Sequence, residues 1–99
     1  MARFDAHENS EGPGYLLDCQ ADILSDLSTR FVVPLLPRDY APLPSRGLNP
    51  SLSVEGKEVV MMTHFAASVP KSALGRVVQS LTSEDRIILN AFDMLLTGY

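Results

Sequence analysis

The sequence predicts a mainly β chain closed by one C-terminal α-helix, a single small domain over residues 1–99 that gains by pairing with a second copy. Three observations predict it. Short apolar and β-branched runs separated by glycine and proline fill residues 15–62. The last quarter changes to a helical period. The 99 residues fit the roughly 100 to 200 of one domain, and a chain of that size buries only roughly 65% of its unfolded surface. Covering a further apolar face between two copies then gains on the order of 25 cal/mol per Å² before the costs of association.

A short stretch over residues 3–6 and an apolar run over residues 15–20 suggest an opening hairpin. Between them His7-Glu8-Asn9-Ser10-Glu11-Gly12-Pro13-Gly14 is polar and glycine-rich, which reads as the loop. Residues 29–36 form a β-branched run, but Pro34 has no amide to donate and so assigns this strand to a sheet edge or bulge. Five of the seven prolines, at 34, 37, 42, 44 and 50, then exclude regular helix and leave a fixed, extended connection. Leu52-Ser53-Val54 and Val59-Val60-Met61-Met62 flank Glu55-Gly56, where glycine supplies the positive φ of a tight hairpin turn.

Thr82, Ser83, Glu84 and Asp85 make a helix start, with a hydroxyl to cap free amides and carboxylates at the positive end of the dipole. At 100° per residue, Ile87, Ile88, Leu89, Ala91, Phe92, Met94, Leu95 and Leu96 sweep about 220° of arc. One small sheet cannot cover so wide a stripe, so part of it is expected to meet another molecule. Gly98 falls where a left-handed C-cap ends the helix.

Several chemistries are excluded or left without support. A net charge of -4 disfavours a direct grip on nucleic acid, which needs clustered Lys and Arg. Cys19 is the only cysteine, so no intrachain disulfide forms, in keeping with a cytoplasmic protein. No apolar run reaches membrane-spanning length, and the first residues turn polar too early for a signal peptide. His7 and His64 lack the spacing of metal ligands, and no bound cofactor is expected. Cys19 sits in an apolar run, where packing outweighs nucleophilic reactivity. Gly12-Pro13-Gly14 lacks the Lys and helix of a phosphate cradle. Asp5, Glu8, Glu11, Asp18 and Asp22, with only Arg3 among them, make the N-terminal end acidic, a solvated face or a dock for a basic partner.

The order of residues carries more than the composition. Tyr15-Leu16-Leu17-Asp18-Cys19-Gln20-Ala21-Asp22-Ile23-Leu24, followed by Thr29-Arg30-Phe31-Val32-Val33-Pro34-Leu35, then Met61-Met62-Thr63 leading into Ala67-Ser68-Val69-Pro70, and a helix ending in Gly98 and one last residue, form an ordered set over residues 15–99. This set resembles the CcdB family of bacterial toxin–antitoxin toxins. The resemblance implies a small SH3-like antiparallel barrel of the CcdB/MazF type, a C-terminal helix and a homodimer. It implies no catalysis: the family binds the A subunit of DNA gyrase and traps the gyrase-cleaved DNA complex, so that DNA is reached only through gyrase or the antitoxin complex. A cognate CcdA-like antitoxin would neutralise the toxin and co-repress its operon with it.

Gyrase contacts of the family carry over to Ile23 and Leu24 and to Asp93, Leu96, Thr97, Gly98 and Tyr99. The chain departs from the best-known pattern at its end, where Thr97 replaces an aromatic anchor and Tyr99 is the last residue. Two alternatives follow: an endoribonuclease toxin of the same fold, for which Arg30 with His64 or Asp18 would supply the acid-base groups and the cation, and a non-toxic binding module degenerate at its C-terminus.

Overall fold

The computed structural model describes residues 2–98. Its strands are β1 (Asp5–Asn9), β2 (Tyr15–Asp18), β3 (Thr29–Pro37), β4 (Ser51–Val54), β5 (Lys57–Met61), β6 (Ala67–Pro70) and β7 (Leu74–Ser80), followed by the helix α1 (Asp85–Thr97). Every pairing is antiparallel, in the order β4-β5-β3-β2-β1-β7, with β6 also on β3. The sheet curls, and the two ends of the path are drawn together by one side chain. Gln79 of β7 donates from Nε2 to the Ser53 carbonyl at 3.0 Å and accepts the Glu55 amide at Oε1 at 2.8 Å. The result is the mainly β, barrel-like domain with a C-terminal helix that the sequence predicts.

The opening hairpin forms, but β1 extends through Asn9 into residues expected to be loop. Polar composition concealed it. His7 pairs with Leu16 and Glu8 with Tyr15, and the His7 ring is buried with Nδ1 3.0 Å from the Gly75 carbonyl. Asn9 closes the turn by accepting the Glu11 amide at Oδ1. Within β2, Tyr15 and Leu17 point into the main core with Phe4, Ala6, Val33, Leu35, Val54, Val59 and Met61. The intervening Leu16 and Asp18 are also buried, so both faces of this strand are covered.

The expectation of an edge position for β3 is overturned, since β3 pairs along both sides. One edge takes β2; the other takes β6 over Thr29–Val32 and β5 over Leu35–Pro37. Pro34 stands at the exchange between these two partners. Its carbonyl accepts the Met62 amide at 2.9 Å, while its missing amide leaves the Met62 carbonyl to accept Phe65 at 2.9 Å in the turn toward β6. Proline is thus placed where the strand's outer partner changes, and a lost donor costs nothing there.

Glu55 and Gly56 have φ of 53° and 76°, the pair of positive angles of a type I′ hairpin turn. The helix start differs from expectation in detail. Residues 82–84 form a single 3₁₀ turn, and no side chain caps α1. The Thr82 hydroxyl instead meets Ser80 Oγ at 2.9 Å. At the other end Gly98 adopts the left-handed conformation (φ 81°) and its amide bonds to the Met94 carbonyl at 3.0 Å, as the sequence predicts. Ile88 and Ala91 enter the core with Phe92 packed beside them. Ile87, Leu89, Leu95 and Leu96 remain exposed, the uncovered part of the wide stripe.

Two glycines separate conformational strain from collision. A Cβ at Gly14 (φ 83°) would run into the Leu35 carbonyl, whereas one at Gly56 (φ 76°) meets nothing. Gly14→Ala is expected to cost about 3 kcal/mol and Gly56→Ala about 1 kcal/mol in urea unfolding; equal losses would contradict the packing of β2 on β3.

Candidate functional site

Ile23 and Leu24 lie on a single 3₁₀ turn, Asp22–Leu24, between β2 and β3. Nothing in the turn is buried; Ile23 is 90% exposed, with Leu24 and Leu27 about half exposed. A turn this apolar and this open is held by polar groups around it rather than by its own packing. The Arg3 amide donates to Asp22 Oδ1 at 2.8 Å, and Lys71 Nζ donates to the Ser25 carbonyl at 2.8 Å. From beneath, Gln20 donates through Nε2 to the Leu24 carbonyl at 2.9 Å and accepts the Phe31 amide at Oε1 at 3.0 Å.

Below Gln20 sits a buried ion pair. Arg30 and Asp18 are 1% and 0% exposed, and both Nε and Nη2 of Arg30 donate to Asp18 Oδ2, at 3.0 and 2.6 Å. The second carboxylate oxygen accepts the Gln20 amide at 3.1 Å. Buried charges of this kind survive only when their remaining hydrogen-bonding capacity is met. Here both oxygens of Asp18 are used.

The C-terminal group lies on the last turn of α1. Asp93, Leu96, Thr97 and Gly98 are exposed, Leu96 at 76%. The Thr97 hydroxyl donates back to the Asp93 carbonyl one turn earlier, at 2.7 Å. Tyr99 lies outside the described residues. The two groups are linked by a half-buried ring contact: Phe31, whose amide is held by Gln20, packs with its ring centroid 5.7 Å from that of Phe92 on α1. Leu27, Gln20 and Phe31 were not singled out from sequence. Gln20 stood within the recognised strand-and-turn block, but its two-way bond depends on a neighbour eleven residues away.

Other candidates resolve differently. Asp18 belongs to the interior and leaves the acidic N-terminal face; Glu8 is bridged to Arg76 at 2.7 Å, and Asp22 serves the Arg3 amide. The trio of Arg30, Asp18 and His64 does not assemble. Arg30 and Asp18 are buried, whereas His64 is exposed and packs against Phe65 in a tilted arrangement, 4.3 Å between ring centroids. A cavity of about 310 Å³ is lined by Glu8, Glu55 and Glu58 together with Lys57 and Arg76. Its charges nearly cancel. Among the described residues no cluster of three or more His, Cys, Asp and Glu is placed to hold a metal, and no helix is long and apolar enough to cross a membrane.

A family model described as CcdB protein matches residues 3–98. The chain belongs to the CcdB family. It is therefore a toxin of a toxin–antitoxin module, with an antitoxin as its kind of partner. In this CcdB-family member the turn after β2 and the end of α1 both leave apolar side chains exposed.

Cys19 follows β2 and is packed against the core. Burial, with the neighbouring Asp18 carboxylate, pushes its thiol far above its ordinary value of 9.0. Tyr15 is raised from 10.0 by burial and by its bond to Glu55. Both groups therefore keep their protons in the folded chain when the unfolded chain loses them. Stability is fully present below about pH 9 and falls as pH rises, by up to about 1.4 kcal/mol per pH unit for each such group. Urea unfolding between pH 8 and 10.5 checks this: Cys19→Ala should flatten the decline, and an unchanged slope would remove Cys19 as its source.

Proposed function

We propose that this toxin acts on DNA gyrase, binding the A subunit through Ile23, Leu24, Asp93, Leu96, Thr97, Gly98 and Tyr99 and trapping the gyrase-cleaved DNA complex. Family membership supports this reading, and one structural observation carries it. Ile23 and Leu96 are 90% and 76% exposed, yet each stands on a turn fixed by internal hydrogen bonds. Apolar side chains displayed on ordered backbone lose little entropy when a partner covers them.

No bond chemistry is asked of the toxin. A ligand that prefers the cleaved, open form of gyrase shifts the population toward it, by as much as its affinities for the two forms differ. DNA is engaged through gyrase or the antitoxin complex. The exposed Ile87, Leu89 and Leu95 of α1 supply an apolar face for a homodimer, whose twofold axis would match a twofold target. A CcdA-like antitoxin neutralises the toxin and co-represses the operon with it, in the cytoplasm where gyrase works.

The test adds purified protein to gyrase, supercoiled DNA and ATP and scores linear DNA beside an RNA-cleavage lane. Linear DNA is expected, with the RNA intact. Leu96→Asp and Ile23→Asp should each lower potency about thirtyfold, the scale of about 2 kcal/mol at an apolar anchor. Absence of linear DNA at excess protein ends the gyrase reading, and cleaved RNA replaces it with the endoribonuclease.

A further inference from the structure

We infer that Gln20 is a positioning residue that locks the Ile23–Leu24 turn and the end of α1 into one surface, a role that rests on the gyrase reading for its biological meaning. The observation behind it is the way this one carboxamide is used. Gln20 is 8% exposed, and its backbone amide and both side-chain polar atoms are engaged: the amide on Asp18 Oδ1, Nε2 on the Leu24 carbonyl, Oε1 on the Phe31 amide. From Phe31 the contact continues by ring packing to Phe92, one turn before Leu96.

Besides its own backbone bonds, the turn has two further side-chain ties, which differ in kind. Those from the Arg3 amide to Asp22 and from Lys71 to Ser25 lie at the surface, where water replaces a lost partner at little cost. Neither reaches the helix. Gln20 alone among these ties runs through the interior, and it is anchored below to an ion pair that cannot relax without exposing a buried charge. Loss of its Nε2 bond leaves the Leu24 carbonyl with the Leu27 amide alone and lets residues 22–27 sample other conformations, and their ordering must then be supplied on binding. The same carboxamide adds a bond to the Phe31 amide within the paired strand, and through the Phe31 ring that contact reaches Phe92 on α1.

Two variants separate positioning from plain stability. Gln20→Glu keeps the acceptor for the Phe31 amide and removes the donor to Leu24. Phe92→Leu keeps an apolar side chain and removes the ring from Phe31. Lys71→Ala cuts a surface tie as the control. Amide hydrogen exchange, gyrase A affinity and urea unfolding are measured on each, on Gln20→Leu, which removes the acceptor for Phe31 as well, and on the Gln20→Leu/Phe92→Leu pair. The expected result for Gln20→Glu is exchange at residues 24–27 at least tenfold faster and gyrase affinity at least tenfold lower, with exchange in β2, β3 and β5 changed less than threefold; Lys71→Ala changes affinity less than threefold. The double variant should lose clearly less affinity than the product of the two single losses, the mark of shared contacts.

Unchanged exchange at residues 24–27 in Gln20→Glu overturns the inference, as does a double variant whose losses multiply. If the unaltered protein does not bind gyrase A while Gln20→Glu still frees residues 24–27, the gyrase reading fails and the lock itself stands as a structural fact.

Discussion

Two opposite charges held out of water at the meeting of β2 and β3 set much of the remaining geometry. Moving either Asp18 or Arg30 alone into the interior would cost several kcal/mol, and removal of one partner from such a pair typically costs about 3–5 kcal/mol. The pair is tolerated because both carboxylate oxygens of Asp18 are hydrogen-bonded locally. Arg30 approaches one oxygen of Asp18 with two nitrogens, the Gln20 amide takes the other oxygen, and the Asp18 carbonyl accepts the Phe4 amide at 2.5 Å. The end of β2, the start of β3 and the entry to β1 are thereby tied at one point.

That point lies directly beneath the exposed turn of Ile23 and Leu24. A purely apolar base would leave the Gln20 amide without its Asp18 partner and so loosen the hold of its carboxamide on the turn. The arrangement joins two features a binding toxin needs in one small domain: apolar groups left open to solvent and backbone rigid enough to present them. In a chain with net charge -4, the cation of Arg30 is committed to structure and is not displayed to a phosphate backbone. Such a distribution agrees with a protein that reaches DNA through a larger enzyme.

Much of the fold was legible because it rests on local signals. Glu55-Gly56 between alternating runs specifies its hairpin through the positive φ of both residues, and Gly98 specifies the helix end in the same way. The width of the apolar stripe on α1 correctly announced a face the chain does not cover. The misreadings have a common physical origin in distant partners. His7 and Asn9 look like loop residues until β7 pairs with both, setting Leu74 opposite Asn9 and the Gly75 carbonyl beside the His7 ring. Pro34 reads as an edge until the change of partner from β6 to β5 removes the need for its amide. Asp18 counted as surface charge until Arg30, twelve residues on, took it inside. The candidate site divides along the same line: Ile23, Leu24 and the helix end were visible as matched segments, whereas Gln20 and Phe31, which hold them, act through contacts that no spacing rule encodes.

The most direct test of this account replaces the ion pair by apolar residues of similar size, Asp18→Leu with Arg30→Met, and reads stability and hydrogen exchange together. Such replacements are often neutral or stabilising for a fold. The account predicts a folded protein within about 2 kcal/mol of the original in urea unfolding, with exchange at residues 22–27 at least tenfold faster because Gln20 has lost its anchor. A stable double variant in which that turn exchanges as slowly as before would contradict the claim that the buried pair organises the exposed surface.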